Sequence, residues 1–210
     1  MRLDRAGFPF IIGALALALV SEVAAGRVLA ASFVVLSAFF VFFFRDPERH
    51  ARVGPDDDQV LSPADGRVLV ASPASAEAAL PGNWQQISIF LSPMDVHVNR
   101  VPISGRVTRV SFTRGRFLPA NHHDAAAANE RSEIWIDHRG QTVVARQIVG
   151  ILARRVVCRL ESGAEVRTGD RFGVMKFGSR MDVFVPMSAT LAVSVGQRVR
   201  GGETVIAVLH

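Results

Sequence analysis

The sequence predicts a mainly β protein: a barrel or sandwich-hybrid-like domain preceded by an apolar helical hairpin. Three observations lead there. From residue 60 onward, short runs rich in Val, Ile, Phe and Thr recur between glycines and prolines, as short antiparallel strands do. Before them, two apolar runs, 7–20 and 28–44, stand back to back. Charge is divided accordingly, because of 24 basic and 19 acidic residues only Arg2, Asp4, Arg5, Glu22 and Arg27 fall in the first 44. With 49% apolar and 20% charged residues over 210 positions, the chain can bury a real core, and disorder is excluded for most of it.

The hairpin comes first. A helix rises about 1.5 Å per residue, so the 17 residues of the second run reach roughly 26 Å, slightly short of a hydrocarbon core of about 30 Å. A tight helical hairpin, a re-entrant hairpin and two helices sunk in one leaflet all fit that length. A cleaved signal peptide competes, but a second apolar run follows and no small-x-small site precedes it. Phe39, Phe40, Phe42, Phe43 and Phe44 leave no polar face, which argues against a hairpin in a soluble core. Arg2 and Arg5 precede the runs and Arg45, Arg49 and Arg52 follow them, so the positive-inside tendency puts both ends, and all that follows, on the cytoplasmic side of a cell membrane.

Residues 45–59 are charged, contain Pro47, Gly54, Pro55 and three consecutive aspartates, and read as a linker. The organisation expected is therefore 1–44 anchor, 45–59 linker and 60–210 domain. Strands are expected at 67–71, 86–91, 96–101, 105–112, 133–136, 142–151, 154–160, 172–177, 181–185, 190–195 and 204–209. One helix is expected at 124–131, where alanines precede Asn129-Glu130-Arg131. Two related glycine turns, 167–171 and 194–198, resemble the hairpins of barrel-sandwich hybrid carriers. A single cysteine, Cys158, excludes a disulfide framework and a multi-cysteine zinc site and suits a reducing compartment. The net charge of +5 is carried by arginines, with Lys176 the one lysine; few aromatics are interleaved and no nucleic-acid motif occurs, which favours anionic lipid or phosphate-bearing ligands.

Three segments carry candidate chemistry. In 91–102, period two places Asp95, His97 and Asn99 on one face of a strand; that face is either solvated or a site whose histidine moves protons near neutrality. In 62–68, Asp65 precedes Gly66 at a turn, which turn chemistry alone explains unless the acid has a partner, and His97 is the obvious one. In 174–186, Ser179 shares a face with Met181, Val183 and Val185, an apolar one. Gly178 is then either a bulge or the close-approach residue that attack of Ser179 on the preceding carbonyl needs.

Taken together, Ser-Pro-Ala-Asp-Gly (62–66), Leu-Ser-Pro-Met-Asp-Val-His-Val-Asn-Arg (91–100), Asn-Glu-Arg (129–131) and Phe-Gly-Ser (177–179) resemble, in order and spacing, the phosphatidylserine decarboxylase proenzymes of the short prokaryotic type. The resemblance covers about residues 45–210, and the apolar hairpin fits it. It implies a membrane-associated enzyme making phosphatidylethanolamine from phosphatidylserine, with a pyruvoyl group as its covalent cofactor and no metal. In such proenzymes the serine matching Ser179 attacks the carbonyl of Gly178. Elimination and hydrolysis then leave a β chain ending at Gly178 and a pyruvoyl-headed α chain, 32 residues here, the two remaining associated. The pyruvoyl carbonyl forms a Schiff base with the substrate amine and acts as the electron sink for loss of carbon dioxide. His97 matches the histidine that assists decarboxylation, and Asp65 the acid linked to self-cleavage.

Longer bacterial relatives have a second histidine where this chain has Arg100, and Leu-Gly-Ser-Thr where it has Phe-Gly-Ser-Arg, so their processing triad does not carry over whole. Arg100, Asn99, Asn121, His122, His123, Asn129 and Arg131 are further candidates for the lipid headgroup. Two other classes compete: a barrel-sandwich carrier modified at Lys176, and a serine hydrolase using Ser179, His97 and Asp65, which lacks a nucleophile elbow.

Overall fold

A computed structural model describes residues 2–24, 26–51, 53–54, 57–75, 80–119, 122, 124–150, 156–176 and 179–210. The chain divides into two compact units, Met1–Glu48 and Arg49–His210.

In the first unit, strand β1 (Arg2–Leu3), helix α1 (Phe8–Ala24), helix α2 (Arg27–Phe43) and strand β2 (Arg45–Asp46) form a closed hairpin, with β1 and β2 paired antiparallel so that its two ends meet. Asp4 caps a single 3-10 turn leading into α1 by accepting from the Ala6 amide at 2.9 Å. Gly26, at φ 91°, makes the reversal between the helices. The helices meet through small residues: Ala14, Ala18 and Ser21 of α1 and Ala30 and Ser37 of α2 are buried, and the Ser37 hydroxyl donates to the Ile11 carbonyl. Ile12, Leu19, Val20, Val23, Val28 and Val35 point outward. Ile11, Phe43 and Phe44 are buried as well, and the outward residues give this unit a largely apolar surface. With its leading turn, the helical run Arg5–Ala24 is long and apolar enough to cross a membrane.

The second unit is β-rich. Its strands are β3 (Gln59–Leu61), β4 (Gly66–Pro73), β5 (Trp84–Leu91), β6 (Val98–Arg100), β7 (Gly105–Thr113), β8 (Arg131–His138), β9 (Gln141–Ile148), β10 (Val156–Cys158), β11 (Glu165–Val166), β12 (Arg171–Met175), β13 (Ser179–Pro186), β14 (Thr190–Leu191), β15 (Arg198–Val199) and β16 (Val205–Val208), with the short helix α3 (Ala125–Ala128) before β8. A curled eight-stranded sheet has the order β11-β7-β8-β9-β13-β5-β4-β15. Two three-stranded sheets, β10-β12-β6 and β14-β16-β3, supply further strands to the core. Alternation along β5, β9 and β13 turns Ile87, Ile89, Ala145, Met181, Val183 and Val185 into that core, where all are inaccessible to water.

The expected β architecture is therefore found, with local corrections. The expected strand 96–101 is paired only over Val98–Arg100, and 190–195 only over Thr190–Leu191. The expected 124–131 helix stops at Ala128, because the Asn129 side chain bonds Leu118 through both its amide and its carbonyl and donates to the Val149 carbonyl, which pulls the chain into β8. The two glycine turns are built alike: in each, a side chain three residues on accepts from the first amide (Asp170 to Arg167, Gln197 to Ser194), and the glycine sits at φ 87° or 88°. Arg49 and Asp58, in the stretch read as a linker, bond Asp65 and the Leu209 amide.

Candidate active site

The chain passes between the large sheet and the β10-β12-β6 sheet after Leu91 and again before Ser179. From Leu91, the end of β5, it leaves the large sheet through 92–97 and enters β6. From Met175, the end of β12, it returns through 176–178 and enters β13. The described ends are tied together: the Met175 amide donates to the His97 carbonyl at 3.1 Å, and Ser179 pairs with Leu91. His97 and Ser179 lie at these tied ends, both with no exposed surface. Gly178 lies outside the described residues, as do Asn121 and His123.

His97 is oriented through its own turn. The Asp95 carboxylate accepts from the Ser92 amide and hydroxyl, each at 2.8 Å, which closes the turn. The Asp95 carbonyl then faces His97 Nδ1 at 2.9 Å. A carbonyl can only accept, so Nδ1 carries the hydrogen and the lone pair of the neutral ring is on Nε2. Full burial of His97 and Asn99 removes the alternative of a solvated face.

Ser179 heads β13, a central strand, and its Oγ has no hydrogen-bond partner among the described residues. Its face is the apolar one expected from period two. A buried hydroxyl left without a partner costs about 1–3 kcal/mol, which packing alone does not explain.

The opposite face of the large sheet is polar yet buried. Glu133, Arg146, Asp182 and Ser88 form one row across β8, β9, β13 and β5. Arg146 Nε lies 2.8 Å from Glu133, Arg180 Nε donates to Asp182 at 2.6 Å, and Arg180 Nη2 donates to Ser88 at 2.9 Å. Burial lowers the proton affinity of Arg146 below the ordinary value for arginine, against the attraction of Glu133 and Asp182. Arg180, at the place where the sequence differs from the Ser-Thr of longer bacterial relatives, is thereby anchored.

The remaining candidates lie elsewhere. Asp65 does not meet His97: its two oxygens accept from Arg49 at 3.0 and 2.8 Å and from the Gly201 amide at 2.8 Å. Arg49 was hidden in a segment that reads as linker. Arg100 alternates away from His97, its guanidinium donating to the Gly169 carbonyl. Arg131 faces the polar side, 3.4 Å from Glu133. His122 lies 3.7 Å from Asp124 in a half-exposed loop. Sequence reasoning missed Gln147, whose amide donates to Asn99 Oδ1 at 2.8 Å; its trace was a second polar residue directly after Arg146 in a largely apolar run. An open depression of about 420 Å³ lined by Arg49, His50, Ser104, Arg167 and Thr168 does not include His97 or Ser179. Lys176 connects two different sheets rather than capping a hairpin, which removes the carrier reading.

Two places where the chain passes between sheets carry a buried histidine and a buried serine without a hydrogen-bond partner among the described residues, and comparison specifies the class of protein. The phosphatidylserine decarboxylase family model matches residues 36–207. Similar curated proteins named phosphatidylserine decarboxylase proenzyme include one from Desulfotalea psychrophila, 40% identical over 96% of this chain and 94% of the relative. Those from Pelodictyon phaeoclathratiforme and Geotalea daltonii are 45% and 39% identical, over 80% and 96% of this chain and 78% and 94% of the relatives. The protein is a carboxy-lyase. It belongs to the phosphatidylserine decarboxylase family.

Proposed function

We propose that the chain is a precursor that cuts itself between Gly178 and Ser179 and then decarboxylates phosphatidylserine with the pyruvoyl group so formed. The observation that carries this is the unpartnered, fully buried Oγ of Ser179 at the junction with His97. Ser179 Oγ adds to the carbonyl carbon of Gly178, the amide C–N bond breaks, and the nitrogen of Ser179 takes the proton that left the hydroxyl. Elimination removes the Cα proton of residue 179 and breaks its Cβ–Oγ bond, leaving a carboxylate on Gly178 and a dehydroalanine; this enamine takes a proton at Cβ to become an imine, which water hydrolyses with release of ammonia. The group supplies an electrophilic carbonyl that captures the substrate amine and accepts the electron pair left by carbon dioxide. His97, with its lone pair on Nε2, takes the serine proton in the first reaction and returns one to the substrate carbon in the second. The apolar core face excludes water around the departing carboxylate. Asp65 acts with Arg49 and Gly201 to brace the turn behind β6, whose Arg100 amide donates to the Pro63 carbonyl.

The outward apolar surface of α1 and α2 supports a membrane anchor, and the flanking arginines support a cytoplasmic position for the second unit, where phosphatidylserine and other anionic lipids present their headgroups. The 178- and 32-residue chains stay together as one folded body.

A denaturing mass measurement on purified protein tests the reading. Two chains in active protein are expected, with a single 210-residue chain and no turnover for Ser179→Ala. An intact wild-type chain with full activity would refute it.

A further inference from the structure

Among the described residues five buried side-chain atoms lack a hydrogen-bond partner: Arg131 Nε and Arg146 Nε, both near Glu133 on the polar face, and Ser179 Oγ, Asn99 Nδ2 and Gln147 Oε1. The capacities of the last three are complementary: a hydroxyl gives one hydrogen and accepts another, a carboxamide nitrogen donates and a carboxamide oxygen accepts. Strand register puts Gln147 on the same face as Ser179, and Gln147 bonds Asn99 directly. Gln147 pairs with Met181 across β9 and β13, so it lies on the apolar face of Ser179, one diagonal step away, a spacing of about 7–8 Å that a long side chain covers. Asn99 follows His97 by two residues and faces the same way.

The carboxamide orientations are set by their other partners. Gln147 Nε2 is held between Asn99 Oδ1 at 2.8 Å and the Val157 carbonyl at 3.5 Å, which turns its oxygen away from both. Asn99 Oδ1 is then engaged and its nitrogen is left over. Gly173, opposite Asn99 on β12, makes the passage: a Cβ there would come within 2.8 Å of Gln147 Nε2 and collide with the Val157 carbonyl.

We propose that Gln147 and Asn99 are positioning residues for Ser179 in self-cleavage, Gln147 Oε1 accepting its hydroxyl hydrogen and Asn99 Nδ2 donating to its oxygen, directly or through one water. This rests on the self-cleavage reading above. A carboxamide is too weak a base to remove the proton, which goes to His97; the pair selects the rotamer from which Oγ adds to the preceding carbonyl. Orientation of this kind is worth on the order of 100-fold in rate.

The test follows the intact full-length chain after cell-free synthesis, by denaturing gel and mass, for wild type, Gln147→Met and Asn99→Asp. Asn99→Asp keeps the acceptor for Gln147 and exchanges the donor for a carboxylate oxygen, so it carries the test if Gln147→Met loses its melting transition. Expected is cleavage about 100-fold slower at a melting temperature within a few degrees of wild type, with hydroxylamine releasing no fragment, since no ester has formed. Cleavage within threefold of wild type in a folded variant overturns the proposal. So does slow cleavage that hydroxylamine restores, because the serine would then have attacked normally and a later step would be the slow one. An uncleaved wild-type chain strikes at the self-cleavage reading itself.

Discussion

Replacing Arg146 by methionine removes the cation at the centre of the buried polar row while nearly preserving its volume. Removing one partner of a buried ion pair costs about 3–5 kcal/mol when it strands the other. Here neither acid is stranded: Glu133 keeps Arg131 at 3.4 Å and Asp182 keeps Arg180 at 2.6 Å, which points to the lower end of that range. The lost contact of the guanidinium with the Phe184 ring, 5.0 Å away, adds on the order of 1 kcal/mol, and relief of a desolvated charge offsets about as much. The expected net loss is about 3 kcal/mol, or roughly 6–12 °C in melting temperature for a unit of this size. Unfolding is best followed in detergent on the Ser179→Ala background, where every molecule is one chain. The proton affinity of Arg146 is lowered by folding, so the unfolded state holds its proton more tightly and the linkage makes stability rise with pH only in the strongly alkaline range. Between pH 6 and 9 the arginine is charged in both states, and the cost of Arg146→Met is expected to be flat. Adding Glu133→Gln removes the neighbouring acid, so the double variant is expected to lose about 1–2 kcal/mol less than the sum of the singles. A single variant as stable as its parent would refute the view that Arg146 neutralises this row.

Three further outcomes are expected. His97→Ala loses its proton carrier, and turnover of whatever cleaved enzyme accumulates falls by about 10²–10⁴-fold in a carbon dioxide release assay, with near-normal turnover removing it from the chemistry. Arg49→Ala and Asp65→Ala each lower stability by about 1–3 kcal/mol, and the double variant by little more than either, because they share one bidentate contact; additive losses in urea unfolding would contradict this. Deleting residues 1–44 abolishes sedimentation with membranes, and a truncated chain that still pellets like the full one would show that the hairpin is not the main anchor.

Much of the fold was legible because alternation survives wherever a strand has one apolar face: β13 advertised Ser179, Met181, Val183 and Val185 as one side, and the structure buries all four. The short strands were not, since the two residues of β15 are a strand only by pairing with β4, over 100 residues earlier, and nothing local encodes that. The 124–131 helix was overextended for the opposite reason, as alanine propensity is local whereas Asn129 answers to Leu118 and Val149. At the site, His97, Ser179 and the facing of Asn99 followed from period two. Gln147 and Arg49 did not, because each acts across 48 or 16 residues on a partner that leaves no periodic mark.

The crossing before Ser179 has a topological consequence. A cut there leaves a 32-residue piece whose β13 is flanked on both sides by strands of the other piece, β5 and β9, and whose β15 and β16 pair with β4 and β3. Such a cut would leave all of these strand pairings in place, with the smaller piece stitched in at three separate seams. It cannot leave without dismantling the large sheet, so the two halves are expected to neither exchange between molecules nor dissociate on dilution, and maturation is a one-way event that alters chemistry while leaving architecture in place.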